Sequence, residues 1–139
     1  MGEIGEELQR LALEAVEAAL AAFTGDEPYP FVFFVDGEGQ AHTIVIAPKQ
    51  GSDGSDLVDV ARHTIAEGIG QVAQLYALAY DGYLTTDGER SDAAFVEAGQ
   101  RGQPEAFLIA QRYRVKKKSR EAERVGPPTI IESVQQLLG

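Results

Sequence analysis

VAQLYALAYDGYLTTDGERSDAAFVEAGQRGQPEAFLIAQRYRV, residues 72–115, is the stretch whose reading decides the fold. It contains three β-prone runs, Val72–Thr86, Ser91–Gly99 and Ala106–Val115. Asp87-Gly88 separates the first two. Both residues tolerate positive φ, which the tight turn of a twisted hairpin requires. Residues 100–105, QRGQPE, supply a second turn through Gly and Pro. The pattern predicts a three-stranded antiparallel meander. In its first strand Tyr76, Leu78 and Tyr80 share one face and Leu75, Ala77 and Ala79 the other, because side chains alternate along a strand. Gly82 within that strand predicts a bulge. In the third strand Phe107, Ile109, Tyr113 and Val115 alternate with Leu108, Ala110, Arg112 and Arg114.

Working outward towards the N-terminus, residues 57–67 read as a short helix with Leu57, Val58, Ala61, Ile65 and Ile69 inward, ended by Gly68 and Gly70. Ser55 or Asp56 would cap it, after the polar loop KQGSDGSD of residues 49–56. Phe31–Val35 (FVFFV) and His42–Ala47 flank the turn Asp36-Gly37-Glu38-Gly39 and predict a hairpin. A continuous apolar first strand implies cover on both faces, from the chain itself or from a partner. Residues 3–23 predict an amphipathic helix with Ile4, Leu8, Leu11, Val16, Leu20 and Phe23 inward and Glu3, Glu6, Glu7, Arg10, Glu14 and Glu17 outward. Beyond the meander, residues 116–126 are a charged connection. Pro127-Pro128 then lead into Thr129–Leu138, whose Ile130, Ile131, Val134, Leu137 and Leu138 fit the spacing of a C-terminal helix.

The expected fold class is therefore α+β. It is a single domain spanning 1–139, with a five-stranded antiparallel sheet, the order α-β-β-α-β-β-β-α, and helices packed on the sheet. This order resembles that of the roadblock and longin-type scaffolding domains. The likeness is one of element order and carries no functional residue across.

Composition limits the function classes. The 139 residues suffice for one core. A net charge of −10 opposes phosphate binding, so no nucleic-acid partner is expected. With no cysteine there is no disulfide, thiolate nucleophile or cysteine zinc site. The acidic start, MGEIGEELQR, lacks a signal-peptide pattern, and no apolar run has membrane-spanning length, so a cytoplasmic chain with no membrane partner is expected.

Candidate chemistry is sparse. Asp59, His63 and Glu67 recur at i, i+4 and i+8, which aligns three metal-capable side chains on one helix face. The favoured reading of the same row is a solvated surface with Asp59 and Arg62 paired, and no metal is expected there. The acidic hairpin of residues 81–92 holds Asp81, Asp87, Glu89 and Asp92. It departs from a calcium loop at Tyr83 and Thr86. Turn formation, with Arg90 neutralising neighbours, accounts for its composition. Gly68-Ile-Gly-Gln-Val-Ala73 has the letters of a dinucleotide fingerprint but closes a helix and opens a strand, so no cofactor is expected.

The reading that follows is a non-enzymatic protein-interaction or assembly module, a homodimer, with room for another protein partner. Its candidate contact residues are Tyr83, Phe31, Phe33 and the basic cluster Lys116, Lys117 and Lys118. A secretion-chaperone-like binder, similarly small and acidic, is a variant of that class. The alternative is a small metal-assisted hydrolase or other enzyme using Asp59, His63 and Glu67, or the acidic 81–92 hairpin.

Overall fold

A computed structural model describes residues 5–23, 29–46, 57–116, 118–119 and 121–138. The meander forms as expected, with β3 Ala73–Thr86, β4 Glu89–Gln100 and β5 Glu105–Val115. Thr86 pairs with Glu89 across a two-residue turn in which Asp87 (φ 52°) and Gly88 (φ 80°) both take positive φ. β1 (Phe31–Asp36) and β2 (Ala41–Val45) form the N-terminal hairpin, and β1 also pairs with β3. The sheet order is β2-β1-β3-β4-β5, all neighbours antiparallel.

The sheet does not stop at five strands. β6 (Ala122–Arg124) and β7 (Thr129–Gln135) both pair with β5, β6 beside Tyr113–Val115 and β7 beside Glu105–Ala110. They act as one returning strand interrupted at 125–128. There the Gln111 amide donates to the carbonyls of Arg112 and Gly126, 2.9 Å each, and holds the detour open. The charged connection thus extends the hairpin, and the expected C-terminal helix Thr129–Leu138 is instead a strand and a short tail. The expected order ending in α is corrected to one ending in two more strands, and the resemblance that rested on it lapses with it.

Two forces explain the correction. Thr129, Ile130, Ile131 and Val134 are β-branched and fit a pleated surface better than a helix. The outer edge of β5 also carries backbone groups that need partners, and a returning strand supplies them in register. Tail residue Leu137 donates its N–H to the Tyr76 hydroxyl at 3.1 Å, and Leu138 is buried.

Two helices cover opposite faces. α1 (Glu6–Ala22) turns Leu8, Leu11, Ala12, Ala15, Val16, Ala19 and Leu20 inward and packs mainly on β3 and β4. α2 (Leu57–His63) continues into a π-helical segment, Thr64–Ile69, and buries Ala61, Ile65 and Ile69 on the other face. The Arg101 side chain donates to the carbonyls of Gly70 and Ala73, closing the end of this helix onto the turn after β4. The expected caps Ser55 and Asp56 lie outside the described residues.

The cores are built by alternation. Leu75, Ala77 and Ala79 pack under α1, and Tyr76 and Leu78 under α2. Phe31 joins the first core, Val32 and Phe34 the second, so β1 is covered on both faces by its own chain. Gly82 makes no bulge, since pairing runs unbroken through Gly82↔Ala93. It is glycine because the Phe95 ring lies over it, where an added Cβ would come within 2.7 Å.

Candidate functional site

β4 places one charge at the centre of the fold. In DAAFVEAG, residues 92–99, Ala94, Val96 and Ala98 belong to the core under α1, which turns Phe95 and Glu97 towards α2. Glu97 is only 2% exposed. An isolated buried carboxylate is strongly disfavoured, so it needs charged and hydrogen-bonding partners. Arg62 of α2 supplies them through Nη2 to Oε2 at 2.5 Å and Nε to Oε1 at 3.3 Å. The Tyr80 hydroxyl donates to the same Oε2 at 2.8 Å.

The Tyr80 ring stacks on Phe95, and the Arg62 guanidinium lies 5.9 Å from the Tyr80 ring centroid. The hydrogen bond to Glu97 raises the Arg62 pKa further above its ordinary value. Burial, then the nearby Glu97 charge, pushes the Tyr80 hydroxyl up, so it remains a donor at neutral pH. With a proton donor on each side, Glu97 is an anchor that pins α2 to β4. The sequence signal for it was a charged residue at an inward position of a small-residue strand. The Asp59–Arg62 spacing points only to a pair along the helix, whereas the Arg62 guanidinium reaches Glu97 as well.

The other face carries an opening. α1 packs mainly on β3 and β4, and its core takes in Ile109 and Tyr113 of β5. Between α1 and the returning strand lies an apolar groove of about 270 Å³, lined by Ala12, Leu13, Phe107, Ile109, Pro128 and Ile130 among others. Leu13 is 48% exposed and Ile130 is 50% exposed. The groove exists because the chain returns along β5 as a strand. A helix there would have covered β5 instead of widening the sheet. Beside it, the outer face of α1 carries Glu6, Arg10, Glu14 and Glu17 and shares Gln9 and Leu13 with the groove.

The residues singled out from sequence disperse. Phe31 is buried, and Phe33 is half-buried against the α1 core. Phe31 therefore offers little free surface, while Phe33 and Val35 remain partly exposed. Tyr83 is 60% exposed, with the Arg90 guanidinium 3.7 Å from its ring centroid. Arg90 thus stacks on an aromatic face, where the expectation had it beside carboxylates. Lys116 and Lys118 are exposed, and Lys117 lies outside the described residues.

On α2, Asp59 pairs with Arg62 at 3.5 Å and His63 with Glu67 at 3.1 Å, the latter two solvent-facing as expected. Among the described residues no three His, Asp or Glu side chains gather as a metal site. In the 81–92 hairpin, the Tyr113 hydroxyl donates to Asp81 at 2.7 Å, and burial raises the Asp81 pKa. His42 donates through Nε2 to Asp36 at 2.8 Å, which lowers the Asp36 pKa, and its ring stacks on Phe34. The Asp36 carboxylate also accepts the N–H groups of Glu38 and Gln40, so this pair shapes the β1–β2 turn.

No protein-family profile, curated protein or solved structure matches the chain. Among the described residues no helix is long and apolar enough to cross a membrane, which says nothing about a strand-built span.

Proposed function

We propose that this chain is a non-enzymatic protein-interaction module whose contact surface is the groove between α1 and β5–β7. The observation that carries this reading is the apolar groove itself. Leu13 and Ile130 stand about half exposed on its two walls, with Phe107 partly exposed between them. Contiguous exposed apolar surface with a polar rim is characteristic of protein contact sites. The titratable groups do not favour chemistry as strongly. Glu97 is saturated by Arg62 and Tyr80, and the row Asp59, His63 and Glu67 is engaged in exposed ion pairs.

Site-specific photo-crosslinking in cells tests the proposal. A photoreactive residue replacing Leu13 or Ile130 is expected to give a discrete protein adduct, and one replacing Val60, exposed on α2, is not. Equal labelling at all three positions, or none at 13 and 130, sinks the reading.

A further inference from the structure

We infer that the occupant of the α1/β5–β7 groove is a basic amphipathic segment of another protein, not a second copy of this chain; the inference rests on the interaction reading above. The floor and walls select apolar side chains: Phe107, Ile109, Ile130 and Leu13 offer no charge and almost no hydrogen-bonding group. The rim selects charge. Glu6 and Glu14 stand exposed on α1 beside Leu13, and Glu105 stands exposed two residues before Phe107, on the same face of β5. Among the described residues, none of these three carboxylates is ion-paired. Glu17 is engaged by Arg124, and Arg10 is the one basic side chain on that helix surface.

A second copy meeting this face about a two-fold axis would bring the same three-carboxylate rim from both sides, with Arg10 the one basic side chain on each helix surface to answer it. It would also bring two chains of net charge −10 together. A segment with leucine-like anchors on one face and Lys or Arg on its flanks meets both demands at once. It would lie in the groove as an amphipathic helix does in an apolar cleft. Rim charge of this kind governs encounter rate and salt sensitivity, and the apolar anchors govern residence.

Two synthetic amphipathic peptides separate the contributions. One is built of Leu and Lys, and the other has the same Leu pattern with Glu in place of Lys. Binding of each to the full chain is measured by fluorescence anisotropy at low and at physiological salt, with sedimentation velocity of the chain alone in parallel. The Leu/Lys peptide is expected to bind and the Leu/Glu peptide to bind at least about tenfold more weakly. Leu13→Asp and Ile130→Asp, both at exposed positions, are expected to weaken Leu/Lys binding by about tenfold or more. The double variant Glu6→Lys, Glu14→Lys is expected to flatten its salt dependence. Glu67→Lys, on the α2 face, should change neither.

Loss of affinity in Glu67→Lys equal to that in Glu6→Lys, Glu14→Lys would show diffuse attraction to an acidic protein and overturn the inference. Equal binding of both peptides, lost in Leu13→Asp, would overturn the choice of a basic partner while leaving the groove as the contact surface. A dimer that dissociates in Leu13→Asp would make the second copy the occupant. A monomeric chain that binds neither peptide would remove the interaction reading together with this one. Circular dichroism and unfolding of each variant confirm that the fold is intact before binding is compared.

Discussion

Removing the Arg62 guanidinium tests the central polar contact of the fold. In Arg62→Met the aliphatic stem remains, and Glu97, 2% exposed, keeps only the Tyr80 hydroxyl. Breaking a fully buried ion pair from one side costs about 3–5 kcal/mol. The Arg62 side chain is 40% exposed, however, so its loss lets water approach the carboxylate from the α2 side. That places the expected destabilisation lower, at about 2–3 kcal/mol.

The reverse change is milder. In Glu97→Leu the guanidinium can turn to solvent or to Asp59, and the main loss is the Tyr80 acceptor, about 1 kcal/mol. The double variant should resemble Glu97→Leu, which makes the coupling energy equal to the Arg62→Met effect, about 2–3 kcal/mol, in a double-mutant cycle. Denaturant unfolding followed by far-ultraviolet circular dichroism reads all four proteins, and an unchanged m-value licenses the comparison. An Arg62→Met effect under about 0.5 kcal/mol, or two single effects that simply add, would refute the reasoning and leave α2 held by apolar contacts alone.

Three further outcomes follow from packing and charge. Gly99→Ala would place a Cβ 2.5 Å from the buried Tyr76 ring, so unfolding should show a loss of about 1–3 kcal/mol, whereas a neutral result would mean the ring has room to move. Leu8→Ala and Ile65→Ala remove side chains from the two separate cores and should each cost about 2–5 kcal/mol; a surface-like value at either position would mean that its helix is not docked. Burial raises the folded-state pKa of Asp81 above its unfolded value, so its charge opposes folding at neutral pH, and that penalty fades as pH falls through the folded pKa. Asp81→Asn should therefore be the more stable protein at pH 7, with the gap gone by the time the pH has fallen to about 4, the ordinary carboxylate value; a less stable variant at pH 7 would show that the hydrogen bond from Tyr113 dominates.

Local patterns determined much of this architecture. Alternation in Ala73–Thr86 assigned Tyr76 and Leu78 to one core and Leu75, Ala77 and Ala79 to the other, because a strand has no other way to orient successive side chains. Asp87-Gly88 located the hairpin through backbone freedom alone. Helical spacing located α1 and its inward stripe, and the apolar run FVFFV announced a strand covered on both faces.

Tertiary structure decided what local pattern left open. Ile130, Ile131, Val134, Leu137 and Leu138 satisfy a helical period, yet the unpaired edge of β5 claims that segment as a strand, and an edge demand lies outside any window of its own sequence. Gly82 looked like a break in pairing, and its real reason is the Phe95 ring across the hairpin. Glu97 and Arg62 are 35 positions apart, and only the packing of α2 on β4 makes them a pair. The groove has the same origin: α1 packs mainly on two strands while the sheet continues past it, so its existence depends on how many strands the sheet acquires, a property of the assembled chain and of no single segment.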